Sequence, residues 1–140
     1  VPVNHHEEMN RLCSESPLPV ALDEELISHA GYENKYKLVK DLQPQYLILK
    51  PSLLGGFQES EEWIQVAKHL NVGWWITSAL ESNVGLNALA QWTYSLGVQM
   101  PQGLGTGALY RENIVSPLDI RNAQLFYDNN REWDESFLQD

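Results

Sequence analysis

Apolar residues along this chain fall into two alternating kinds of stretch. Short continuous runs at Pro19-Val-Ala-Leu22, Tyr46 to Leu49 and Val72 to Ile76 end in polar residues: Asp23-Glu24-Glu25, Lys50 and Thr77-Ser78. Between them apolar positions recur at spacings of three and four, the period of a helix with one buried face. Leu38, Val39 and Leu42 make one such stripe, Trp63, Val66, Ala67 and Leu70 a second, and Leu86, Leu89, Ala90 and Thr93 a third. Met9, Leu12 and Cys13 suggest a further helix leading into the first strand. Pro44 and Gly97 stand where helices should stop. A weaker fourth strand segment is the glycine-rich Gly103-Leu-Gly-Thr-Gly107.

The strand ends recur about every 27 residues, at Asp23, Lys50, Ser78 and Gly105. Strand, loop and helix repeated at that period predict parallel strands joined by crossover helices. Strands covered on both faces read as continuous apolar runs, which matches these segments. A doubly wound sheet usually carries a glycine-rich phosphate loop after its first strand. Here that loop is the acidic Asp23-Glu-Glu-Leu-Ile-Ser-His-Ala-Gly31. A (β/α)₈ barrel needs about 250 residues, so four units make half of one. The expected fold class is therefore α/β, the C-terminal half of a (β/α) TIM-type barrel. Strands near 19–23, 46–50, 72–77 and 102–106 should lie parallel, adjacent and in that order.

Composition narrows the partners. The 140 residues carry a net charge of -10, which argues against nucleic acid or an anionic membrane as the main partner. No apolar run approaches the roughly 18 residues of a membrane span. The single Cys13 permits no internal disulfide and fits a reducing, cytoplasmic setting. The start, Val1-Pro-Val-Asn-His-His6, lacks an initiator Met and looks cut from something longer.

Candidate chemistry collects at the strand ends, where barrels keep it. Asp23, Glu24 and Glu25 together offer hard oxygen ligands for a divalent cation, or simply form a solvated acidic turn. Lys50 is a base, an acid, a Schiff-base former or a cation facing developing charge, against the alternative of a snorkelling strand-end lysine. Gly55 and Gly56 would let backbone N–H groups approach a ligand closely, or merely turn the chain. Ser78, Glu81 and Ser82 precede a helix starting near Gly85, where N-terminal amides favour a carboxylate; Ser82 or Asn83 is the natural N-cap. His5-His6-Glu7-Glu8 lacks metal-site spacing, and His29 and His69 stand alone. The tail from Asp128 is acidic, with Trp133 and Phe137 as anchors for docking on the body.

Taken in order, Ala21-Leu-Asp-Glu-Glu-Leu-Ile27, Leu47-Ile-Leu-Lys-Pro-Ser-Leu-Leu-Gly-Gly56, Ile76-Thr-Ser-Ala-Leu-Glu-Ser82 and Gln102-Gly-Leu-Gly-Thr-Gly107 resemble the enolase superfamily, in its muconate-lactonizing subgroup. The resemblance runs from about Pro17 to Leu109. It implies a capping domain, then a modified barrel holding Mg²⁺ (or Mn²⁺) with three strand-end carboxylates. On this likeness Asp23 matches the third metal ligand and Glu24 its acidic neighbour. Lys50 matches the lysine opposite a Lys-x-Lys pair, while Ser78 and Gly103 fall among residues that surround the substrate carboxylate. Gly55, Glu81 and Ser82 join them as candidate substrate contacts. The implied activity is a lyase reaction, the metal-dependent dehydration of a succinyl-bearing hydroxycyclohexadiene carboxylate in menaquinone biosynthesis. A racemase of N-acylamino acids, a dipeptide epimerase, or a non-catalytic interaction fragment are the alternatives. The Lys-x-Lys pair, two metal carboxylates and the capping domain have no counterpart here. Residues 1–140 therefore read as one partial barrel domain whose missing N-terminal part is its first partner. It should be inactive by itself, and a homo-oligomer is compatible with the sequence.

Overall fold

In the computed structural model, residues 1–136 are described. The chain divides into two compact units, residues 1–77 and residues 78 onward.

The apolar runs of the first unit become three strands: β1 (Ala21–Leu22), β2 (Tyr46–Leu49) and β3 (Gly73–Ile76). They form one sheet in the order β1-β2-β3, and both pairings are parallel. The register sets Leu22 beside Leu47 and Leu49 beside Ile76, and all four side chains are buried. Tyr46 and Ile48, which alternate with them, are only half-buried, so one face of β2 makes this unit's core. Gly73 lets β3 approach β2 closely, because a Cβ there would run into the ring of Tyr46.

One helix leads into β1 and three lie between the strands; the stripes predict all but the short one at Pro51–Leu54. The helices are α1 (His6–Glu15), α2 (Tyr32–Leu42), α3 (Pro51–Leu54) and α4 (Phe57–Leu70). α2 buries Leu38, Val39 and Leu42, and α4 buries Trp63, Ile64, Val66 and Ala67, with the two helices packed together. α2 stops at Gln43 in the left-handed conformation, one residue before Pro44, which cannot continue a helix. Cys13 is buried on α1, and burial pushes its thiol pKa up.

A lysine lies inside this helical layer. Lys35 has no exposed surface. Its ammonium donates to the Glu59 carboxylate, to Glu62 Oε2 at 2.8 Å and to the Glu59 carbonyl at 3.2 Å. It also sits 5.7 Å from the Trp63 ring centroid. Three oxygens and an aromatic face offset the cost of burying a cation. The pair ties α2 to α4.

The second unit is built on α5 (Asn83–Ser95), which buries Leu86, Leu89 and Thr93 as its stripe requires. Here the expected fourth strand fails. Gly103 makes only an isolated bridge, and Gly105–Leu109 winds into a 3₁₀ helix. Three glycines in five residues supply neither the branched side chains nor the stiffness of a strand. An antiparallel hairpin the sequence reading did not anticipate follows, β4 (Leu118–Arg121) with β5 (Gln124–Tyr127). Its two turn residues, Asn122 and Ala123, have φ of 50° and 59°, the geometry of a hairpin turn that matches strand twist. Beyond the hairpin, the Asp128 N–H bonds the Pro117 carbonyl and the Asp134 N–H bonds the Val115 carbonyl. Trp133 is half-buried, and Phe137 lies outside the described residues. Among the described residues, no helix is long and apolar enough to cross a membrane.

Replacing Lys35 by Met keeps the stem and removes the charge, leaving Glu59 and Glu62 without their shared donor. Unfolding titrations should show a loss of about 1–3 kcal/mol. Lys35→Ala should cost about 2 kcal/mol more, because it also opens a cavity. Equal stability of Lys35→Met and wild type would show that the ion pairs add nothing.

Candidate functional site

Two parallel neighbours bring the strand ends of the first unit together. Asp23 follows β1 and opens a 3₁₀ turn, Glu24–Leu26. Lys50 follows β2 as the cap of α3, with Pro51 at the first helical position, where a missing N–H costs nothing. The Lys50 ammonium lies 2.6 Å from Asp23 Oδ2 and 3.7 Å from Glu24 Oε1. The Lys50 side chain is 20% exposed and that of Asp23 is 26% exposed, whereas Glu24 points largely into solvent. The hydrogen bond to Asp23 pushes the Lys50 pKa up; partial burial opposes this, and the charges of Asp23 and Glu24 add to it. The side chain is therefore a cation at neutral pH. Gly55 and Gly56, with φ of 97° and 100°, turn the chain from α3 into α4. Their positive φ requires glycine, and the Gly56 N–H bonds the Pro51 carbonyl.

In the second unit, Ser78 is buried and makes three bonds. Its hydroxyl donates to Glu81 Oε2 at 2.5 Å and accepts from the Leu80 N–H at 2.9 Å, and its own N–H donates to the Gly103 carbonyl at 3.0 Å. Ser78, Glu81 and Gly103 are thus gathered in one place. Ser82 occupies the N-cap position of α5 without a side-chain capping bond. The first amide of the helix, on Asn83, instead donates to Asn113 Oδ1 at 3.1 Å. The Tyr110 hydroxyl donates to the Leu80 carbonyl and pins the loop.

Asp23 and Glu24 suit a hard divalent cation by donor type but not by number. No group of three His, Cys, Asp or Glu side chains able to hold a metal occurs among the described residues. An octahedral Mg²⁺ site needs more oxygens than this turn supplies. Among the described residues, this turn offers two carboxylates and no third ligand group beside them.

Two buried charges escaped the sequence reading. Lys35 had a signal, since it extends the stripe Leu38, Val39 and Leu42 by one turn. Glu25 had none. It is 4% exposed, accepts from the Asn4 N–H at 3.1 Å, and has its Oε1 2.9 Å from His6 Nε2. His69 is not isolated either, for its Nδ1 lies 2.8 Å from the Tyr32 hydroxyl.

An acid and a lysine at the ends of adjacent parallel strands, one unit apart, are the arrangement that the enolase-superfamily resemblance implies. No family model matches the chain. The crystal structure of MenC from Desulfotalea psychrophila LSv54 superposes with a TM-score of 0.83 at 51% identity, over 87% of this chain and 34% of that one. Muconate lactonizing enzyme from Pseudomonas putida superposes with a TM-score of 0.71 at 24% identity, over 86% of this chain and 33% of that one, a likeness of fold. The chain is part of an enolase-superfamily barrel.

In sequence it is 53% identical to the o-succinylbenzoate synthase of Desulfotalea psychrophila over 126 residues, 89% of this chain and 34% of that protein. The o-succinylbenzoate synthase of Vibrio cholerae serotype O1 is 33% identical over 71% of this chain and 30% of its own length. Over most of its length the chain is similar to these o-succinylbenzoate synthases, and it spans about a third of their length.

Leu80 has a φ of 68° and is 53% exposed, so it bears the steric cost of a left-handed backbone with little burial in return. Leu80→Gly should be more stable than Leu80→Ala by about 1 kcal/mol in thermal unfolding. Equal stabilities would mean that the Ser78 and Tyr110 bonds do not enforce this conformation.

Proposed function

We propose that the complete protein containing this chain is a Mg²⁺-dependent o-succinylbenzoate synthase, a cytoplasmic lyase of menaquinone biosynthesis. It dehydrates a 2-succinyl-6-hydroxycyclohexadiene carboxylate to o-succinylbenzoate. The observation that carries this reading is the Lys50–Asp23 pair, 2.6 Å apart on successive strand ends, in a chain 53% identical to a synthase. Residues 1–140 supply part of the barrel, and the remaining polypeptide supplies the capping domain, the first strands and the Lys-x-Lys base.

The reaction breaks a C–H bond α to the carboxylate and then a C–O bond, so a proton and hydroxide leave and a ring double bond forms. Between the two steps the carboxylate carries a second negative charge. A bound Mg²⁺ would supply Lewis-acid stabilisation of that charge, with Asp23 and Glu24 as this chain's contribution to its ligands. Lys50 acts as a fixed cation beside the developing enediolate. In a site closed to water such a charge is worth more than in solution. Asp23 holds the ammonium in place, so little reorganisation is needed as charge develops. Proton removal occurs on one face only, and a single base elsewhere suffices. Ser78 and Gly103, with Gly55, Glu81 and Ser82, contact the succinyl and carboxylate groups in this reading.

The test uses the complete protein. Asp23→Asn keeps the side chain's shape and removes its charge. Turnover should fall by about 100-fold and partly recover at high Mg²⁺; an unchanged Mg²⁺ dependence would make Asp23 a surface carboxylate. Lys50→Ala should lose about 100-fold in dehydration, whereas Lys50→Arg, which keeps the charge with a different donor geometry, should retain more. Equal loss in both variants would make Lys50 a proton carrier, as in a racemase, and exchange of the substrate α-proton in D₂O would then report on it. The 140-residue chain alone should show no turnover and weak Mg²⁺ binding.

A further inference from the structure

Of the three consecutive acids after β1, only Glu25 points inward. Glu24 is largely solvent-exposed, and Asp23 faces Lys50. A buried carboxylate is costly unless its oxygens are satisfied. Those of Glu25 are satisfied from the beginning of the chain. The Asn4 N–H lies 3.1 Å from both oxygens, and His6 Nε2 lies 2.9 Å from Oε1. The helix that His6 opens is in turn held to α2, through Asn10 Nδ2 donating to the Asp41 carbonyl at 2.7 Å. On the other side of Glu25, Leu26 is buried in the core. Its N–H bonds the Asp23 carbonyl at 3.0 Å, and the Ile27 N–H bonds the Glu24 carbonyl at 3.1 Å. The turn carrying Asp23 is thus held by a core leucine and by a carboxylate clamp.

We propose that Glu25 is a positioning residue for the Asp23–Lys50 pair: held by Asn4 and His6, it fixes the 3₁₀ turn that directs Asp23 at Lys50. A leucine or valine at this inward position would fill the space without fixing the turn's orientation. Two contacts from a separate segment do fix it: the Asn4 N–H shared between both oxygens, and His6 Nε2 against one of them. Catalytic groups must be held within a fraction of an ångström by neighbours that are themselves locked. The inference rests on the reading of Asp23 and Lys50 as reacting groups, and deepens it.

The test compares Glu25→Ala, Glu25→Gln and His6→Ala in the complete protein. Three quantities are read: unfolding temperature, kcat and KM separately, and the Lys50 side-chain NMR signal without added metal, assigned by its loss in Lys50→Arg. Glu25→Ala should shift the Lys50 signal and lower kcat by about 10–100-fold with little change in KM. Glu25→Gln keeps an acceptor for the Asn4 N–H and should recover part of both, and His6→Ala should fall between. A purely structural role predicts a lower unfolding temperature, with the Lys50 signal and kcat per folded molecule at wild-type values; that result overturns the proposal. If Glu25→Ala does not fold, wild-type signal and kcat in both other variants overturn it equally. If the wild type does not dehydrate the substrate, the functional reading fails by itself. The Lys50 signal then decides the positioning role alone.

Discussion

Parallel pairing is the constraint from which the candidate chemistry follows. When β1 and β2 run the same way, the residues that end them emerge at the same edge of the sheet, although 27 positions separate Asp23 from Lys50. An antiparallel pair would send them to opposite edges. The parallel arrangement requires a crossover, and α2 supplies it, so the helix is as much a part of the site as the strands are. With the register fixed at Leu22 beside Leu47, a carboxylate and an ammonium meet at 2.6 Å with no flexible loop between strand and charge.

Lys35 and Lys50, both in the first unit, show how differently a fold can use one side chain. Lys35 is sealed between α2 and α4 by Glu59, Glu62 and the face of Trp63, far from any strand end in sequence. Its partners neutralise it, and its effect is to fix the packing of two helices. Lys50 keeps a fifth of its surface and sits where strand ends open toward solvent. Its main partner, Asp23, is itself partly exposed, so the pair can be approached. The enclosed charge fixes packing, and the accessible one stays within reach of solvent at the strand ends.

Much of this was legible in the chain. Three strands, their parallel order and the helices between them follow from apolar periodicity and a repeat of about 27 residues. The pairing of Asp23 with Lys50 follows from the same repeat once the strands are parallel. The fourth unit was misread because Gly103-Leu-Gly-Thr-Gly107 continues the spacing without the side chains that make a strand. The hairpin was missed because its turn is Asn122-Ala123, and an alanine at positive φ gives no sequence signal.

The sequence by itself determined which residues lie on helix stripes and strand ends, because burial imposes a period that local spacing records. Tertiary structure alone decided which polar residues are buried and by whom they are satisfied. Glu25 is one of three acids in a row, and only the arrival of Asn4 and His6, about 20 positions earlier in the chain, makes it the inward one. The buried Ser78 likewise finds a partner in the Gly103 carbonyl, 25 residues on. Such partners come from packing between distant segments, and no local pattern encodes the distance over which a chain will return.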